Sequence, residues 1–334
     1  MNRAGWPREV EAVFERSVTA EFATLTRAGA PITVPTTPYL GSSGETVDVS
    51  TGLTYPAKAE RARQDPRVCL LFADPIGAGS EDLAVVMVQG LATVRDGDLQ
   101  ANTDRYVRAS TEKLPDATKG QPRAVLRRMV WYYARIWVEI TPLHMRWWPS
   151  RRLDGPPQQW DAPEGTAAPL SDPAPPGKRP GAWVAPAADW RALTTRALGQ
   201  LALHDLTVVD ANGFPLCLPV GEAEPTDDGV RLRLGPGAPA VGEGVACLTM
   251  HGHGVRFTGQ ENHTVVGTVA PDPDDGGWLR LRVQRALGDW SLAGNRALMA
   301  VGFLSKGRRL ARRVEVEATR RGQPVPTVRF PGEA

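Results

Sequence analysis

Short apolar blocks that end at Gly, Pro or Asp fill the first 150 residues, and most have strand rather than helix periodicity. Val10, Val13, Phe14 and Val18 recur at helical spacing after Pro7 and predict a short amphipathic helix. Residues 22–27 and 32–39 flank Ala28-Gly29 and predict a hairpin, followed by an alternating strand over 46–50. Residues 56–65 predict a helix, because Pro56 suits a first helical position and Pro66 terminates it. Residues 68–72 and 83–94 read as buried strands, 99–110 and 124–130 as helices, and 132–140 and 145–148 as closing strands. Many strands joined by hairpins, with few helices, point to a small barrel.

Between Arg151 and Trp190 the pattern stops. Nine prolines fall there and few large apolar residues, so an extended connector is expected, with Trp160 and Trp183 able to pin it. Three segments result: 1–150 as a first domain, 151–187 as a Pro-rich linker, and 188–334 as a second domain.

The second domain repeats the first. Gly29, Pro31 and Pro35 match Gly213, Pro215 and Pro219 at an offset of 184, and Val47, Val49 and Gly52 match Val230, Leu232 and Gly235 at 183. Cys69-Leu70 matches Cys247-Leu248 at 178, and Gly90 matches Gly267 at 177. The shared order of these matches favours duplication over chance. The offset drops where the first copy carries Tyr55-Pro56-Ala57-Lys58 and the second has Pro236-Gly237-Ala238-Pro239. One copy has kept something that the other lost.

Composition narrows the function. The chain has 334 residues, 39 Lys+Arg against 37 Asp+Glu and a net charge of +2, with no basic excess to neutralise nucleic acid or an anionic membrane. Three scattered cysteines make no disulfide framework, and no stretch reaches the roughly 18 apolar residues of a membrane helix. Residues 1–16 carry six charged side chains and no apolar signal segment, so a soluble cytoplasmic protein is expected.

Residues 50–67 carry the richest chemistry. They run from a strand end through Ser50, Thr51, Gly52 and Thr54 into a helix whose first turn holds Lys58, with Arg61 and Arg63 beyond. Free N–H groups at a helix start, hydroxyls and a full positive charge suit a phosphate. A capped surface helix with solvated cations fits the same residues. This succession, with Asp65-Pro66-Arg67-Val68, Gln89-Gly90 and the block from Tyr133 to Pro142, resembles the FMN-binding split barrels of the pyridoxamine 5′-phosphate oxidase-like superfamily. It is most similar to the flavin/deazaflavin oxidoreductases, over about residues 8–149.

The resemblance implies a mainly β (α+β) fold of two tandem split β-barrels with flanking helices, fused as a pseudo-dimer within one chain. It also implies a cofactor site at Ser50, Thr51, Gly52, Thr54, Lys58 and Arg61, with FMN as cofactor, F420 as the alternative and haem as a remoter one. The implied function is an FMN- or F420-dependent oxidoreductase moving a hydride to or from a small molecule. The alternative is a non-catalytic FMN-, F420- or haem-binding protein. Catalytic side chains, substrate and further oligomerisation stay open.

Other notable residues have plainer readings. Cys247, His251 and His253, with His263 beyond, have loose metal-ligand spacing. A hairpin turn at Gly252 and Gly254 accounts for it, so no metal is expected. The tryptophans at 131, 137, 147 and 148 read as packing, with adjacent Trp147 and Trp148 on opposite faces of a strand. The arginines at 123, 127 and 128 and at 308, 309, 312 and 313 read as solvated helix faces.

Overall fold

A computed structural model describes residues 5–75, 84–115, 122–177, 189–254, 260–287 and 296–331, with the side chains of 296–306 excepted. Trp183 of the linker lies outside the described residues. In the first unit, α1 (Arg8–Arg16) precedes β1 (Ala20–Leu25), β2 (Pro31–Thr36), β3 (Pro38–Leu40) and β4 (Val47–Gly52). Then come α2 (Ala57–Gln64), β5 (Arg67–Phe72), β6 (Val85–Arg95), α3 (Leu99–Lys113), α4 (Arg123–Arg127), α5 (Val130–Tyr133) and β7 (Arg135–Trp148). The linker contributes β8 (Gln158–Asp161), which pairs with β7 and sets Trp160 opposite Met145.

The second unit holds α6 (Trp190–Gln200), β9 (Leu203–Val209), β10 (Pro215–Pro225), β11 (Gly229–Leu234), β12 (Gly244–Gly252), β13 (Glu261–Pro271), β14 (Leu279–Ala286) and α7 (Arg296–Arg320). No helix among the described residues is long and apolar enough to cross a membrane.

The first sheet runs β2-β1-β5-β6-β7-β4-β3, and the second closes as β10-β11-β14-β13-β12-β9. Thr37 alone separates β2 from β3, so the two ends of the first path are consecutive in the chain and the sheet is a split barrel. Taking β2 and β3 together as the counterpart of β10, the two orders are the same. The registers agree as well. Glu21 faces Pro35 and Leu71, as Asp205 faces Pro219 and Thr249; Val68 faces Gly90, as Ala246 faces Gly267. Those pairs reproduce the offsets of 184, 178 and 177 read from the sequence.

Gly90 and Gly267 each sit at a register shift, against β7 and β14 respectively. A Cβ there would lie 2.4 Å from the Thr141 carbonyl oxygen or 1.9 Å from that of Arg282, so the crossing strand needs glycine. Gly267→Ala is expected to cost about 1–3 kcal/mol, read as a lower denaturant midpoint at unchanged slope. The Gly90 bulge also explains why β7 is one strand of 14 residues instead of the two expected. Pro142 lies opposite Gly90 at the register shift, where a missing N–H is tolerated. Tyr132 and Tyr133, expected at the start of a strand, instead end the helical turn α5.

Strands at the seam between the units are buried on both faces, and β5 is apolar from Val68 to Phe72. Along β5, Val68, Leu70 and Phe72 fill the first barrel, while Cys69 and Leu71 turn outward to join Leu206, Cys217 and Leu218 of the second. Trp147 and Trp148 divide in the same way: Trp147 belongs to the first core and Trp148 to the seam. β2 packs on β9, β12 and β13; β10 packs on β1, β5 and β6, which are their counterparts. At the centre the Thr33 and Thr207 hydroxyls are 2.6 Å apart, and Thr249 donates to the Thr33 carbonyl at 3.0 Å.

The end of the chain returns to the first unit. Val314 and Ala318 of α7 lie in the first core, and Val328 and Phe330 pack with Tyr39, Tyr106 and Tyr133. The span 188–334 is thus one expected segment whose last turns and tail complete the other unit's packing.

Candidate anion site at the start of α2

β4 delivers Ser50, Thr51 and Gly52 opposite Trp137, Ile136 and Arg135 of β7. The chain then turns through Leu53–Pro56 into α2, where the Thr51 hydroxyl donates to the Tyr55 carbonyl at 2.9 Å and fixes the turn. The Thr54 hydroxyl is buried and makes no hydrogen bond. Ser50 is buried, and its carbonyl accepts a long bond from Thr36.

Lys58 stands in the first turn of α2 and makes no hydrogen bond or ion pair with any described residue. Burial, then the neighbouring guanidinium groups of Arg135 and Arg61, push its pKa down to about 8. Arg61 is held by a 2.8 Å bond from its Nε to the Thr24 hydroxyl. The Arg135 guanidinium lies 4.0 Å over the Tyr106 ring and donates to the Tyr106 hydroxyl at 2.8 Å, while its Nε stays buried without a partner. Burial pushes the Tyr55 hydroxyl up to about 12, opposed by the charge of Arg313 from α7. The nearest carboxylate on the helix, Glu60, is engaged by Arg320.

Three cations thus meet beside an orphaned hydroxyl at a helix start, and the amine of Lys58 and the Nε of Arg135 have donors unspent. That donor set fits a phosphate. Two surface cavities, of about 590 Å³ around residues 154–157 and 236–239 and about 200 Å³ around Phe72, Asp74 and Arg151, lie elsewhere.

No family model matches the sequence, and no curated protein matches it. Solved structures do. An F420 reductase is similar at 16% identity over 42% of this chain and 98% of its own, with a TM-score of 0.32. A pyridoxamine 5′-phosphate oxidase-related, FMN-binding protein of Nostoc punctiforme is similar at 15% identity over 43% and 83%, with a TM-score of 0.32. A conserved hypothetical protein of Mycobacterium tuberculosis reaches 21% identity over 45% and 88%, with a TM-score of 0.34. In each case the likeness spans less than half of this chain.

Of the site residues expected from sequence, Thr54, Lys58 and Arg61 gather at the start of α2. Ser50, Thr51 and Gly52 form the strand end that leads to it. Sequence reasoning missed Arg135, although the Gly52–Arg135 pair sets it there, and Arg313, which a helix from the far end of the chain brings in. The histidines disperse: His251 faces Glu21 and Asp205, His253 faces Asp74, and His263 faces Thr194. His251 and Gly252 end strand β12, so the expected turn begins later.

In the second barrel residues 152–155 pack against the turn that matches this site, beside the cavity of about 590 Å³. A Cβ at Gly235 would lie 1.8 Å from the Arg152 carbonyl oxygen, and one at Gly237 would lie 1.7 Å from that of Gly155. The Gly237 amide donates to the Leu153 carbonyl at 2.7 Å, and Trp148 Nε1 donates to the Gly237 carbonyl at 3.2 Å. Leu153 is fully buried and takes a left-handed φ of 52°, unusual for a branched residue and held by this packing.

Proposed function

We propose that the chain binds one phosphate-bearing flavin or deazaflavin, FMN or alternatively F420, and acts as an oxidoreductase on a small molecule. The observation that carries this reading is the convergence of Lys58, Arg61 and Arg135 beside the orphaned Thr54 hydroxyl, with Lys58 itself unpaired among the described residues. The resemblance of residues 50–67 to the flavin/deazaflavin oxidoreductases supplies the cofactor class. Such a cofactor, when bound, supplies the hydride chemistry. The protein's part is to hold its phosphate at Lys58, to orient it along Ser50, Thr51 and Gly52, and to shield it with α7.

The matching strand orders and registers support a duplicated barrel, and the reciprocal packing of β2 and β10 supports a pseudo-dimer within one chain. Because residues 152–155 pack against the matching turn of the second barrel, that pseudo-dimer is asymmetric. Titration of the purified protein with FMN and with F420, followed by cofactor fluorescence, is expected to saturate at one cofactor per chain. Two per chain would refute the asymmetry, and binding of neither would refute the function. Turnover of the bound cofactor with an added electron donor or acceptor separates an enzyme from a carrier.

A further inference from the structure

The seam between the barrels buries a cluster of charge that the cofactor reading does not use. Glu21 of β1, Asp205 of β9 and His251 of β12 are exposed by 0%, 0% and 1%, and one donor atom from each lies within 4.8 Å of the others. His251 Nε2 is 2.6 Å from Glu21 Oε1 and 3.4 Å from Asp205 Oδ2. Yet Nε2, both Glu21 oxygens and Asp205 Oδ2 make no directed hydrogen bond. Arg151 takes the other Asp205 oxygen at 3.0 Å and the carbonyls of His204 and Ala73, both at 2.9 Å, and makes no hydrogen bond to Glu21.

Two carboxylates this deeply buried need a cation between them. Desolvation first, and the Asp205 charge second, raise the Glu21 carboxyl above its ordinary range. A proton on His251 Nε2 can point at one oxygen only. A divalent ion would satisfy Nε2 and both carboxylates together, where these atoms make no directed hydrogen bond.

We infer that Glu21, Asp205 and His251 form a binding site for a divalent transition-metal ion, which ties the first barrel to the second. One imidazole nitrogen and two carboxylate oxygens suit Zn²⁺, Mn²⁺ or Fe²⁺ better than Ca²⁺ or Mg²⁺. Glu21 and Asp205 occupy matching positions of the two units, but the residue matching His251 is Ala73, so the seam holds one such site and not a symmetric pair. Its burial makes the role structural: the ion enters as the units close on each other. Without metal, a proton shared between Nε2 and the two carboxylates holds the cluster.

The test uses tag-free full-length protein, stripped with a chelator and titrated with Zn²⁺ or Mn²⁺. Metal content is measured after gel filtration, and thermal unfolding is followed with and without the ion. About one ion per chain and a higher Tm with metal are expected. His251→Ala and Glu21→Gln should each weaken binding by about 100-fold or more, since even outer-sphere partners of metal ligands are worth 10–100-fold. Glu21→Gln keeps the shape of the side chain, and circular dichroism confirms its fold before it is read. Folded wild-type protein that takes up neither ion and shows no Tm shift would overturn the site in favour of a proton-held cluster. Metal binding unchanged in folded Glu21→Gln would overturn it in favour of a site elsewhere.

Discussion

Lys58→Met is expected to weaken binding of the phosphate-bearing cofactor by about 1.5–3 kcal/mol, on the order of 10- to 150-fold, as loss of a charge-assisted bond does. The fold should not weaken with it. Lys58 carries its charge among two other cations in a part-buried turn, and its pKa of about 8 lies below the usual 10.5. For a base depressed in the folded state, the charged form opposes folding. The penalty is complete below pH 8 and is relieved as pH rises toward the unfolded value. Removing the amine removes the penalty, so weaker binding at equal or higher Tm marks a binding role.

The same shift gives a pH dependence. An anion binds the ammonium form, which is half populated at about pH 8 in the free protein and predominates below it. Wild-type affinity is expected to fall by up to about tenfold per pH unit above that value, whereas the Met variant shows no such fall there. Equal pH profiles in the two proteins would place the phosphate elsewhere.

The largest stability loss is expected from Glu317→Ala. Glu317 is fully buried on α7 and accepts from Arg320 Nε at 3.1 Å and from Arg321 Nη1. Arg320 continues to Glu60 on α2, and Arg321 donates to Asp96 at 2.9 Å, so this carboxylate joins the last helix to the first barrel. Deleting it leaves two largely buried guanidinium groups short of charge, at a cost of about 3–5 kcal/mol. Denaturant unfolding measures that loss. Cofactor affinity should fall as well, because Arg313 rides on the same helix beside Tyr55.

The correspondence between the two units was legible because glycine marks the backbone. Gly29 and Gly213 both take a left-handed φ, of 77° and 79°, and Gly90 and Gly267 both sit where a strand crosses too closely for a Cβ. Such constraints survive divergence and leave spaced residues behind. The Lys58 turn was legible for a related reason: Pro56 and Pro66 frame a helix whose start must stay open. Arg135 and Arg313 were not legible as site residues, since β pairing and a helix from the far end of the chain bring them in. The seam was least legible. Glu21 lies just before the strand expected over 22–27, no strand is assigned from sequence around Asp205, and only a second barrel packed on the outer face makes them interior.

The return of α7 and the tail to the first barrel also governs how the chain is made. The first core lacks Val314 and Ala318, and the aromatic cluster around Tyr106 lacks Val328 and Phe330, until residues 314–330 have been synthesised. At about 5–20 residues per second, the distance from Trp148 to Leu310 takes roughly 8–30 s on the ribosome. Through that interval the nascent first barrel stands open along the groove that α7 will fill, so its folding cannot finish domain by domain from the N-terminus. A ribosome stalled before Leu310 would hold a protease-sensitive first half, and release of the full chain would close it.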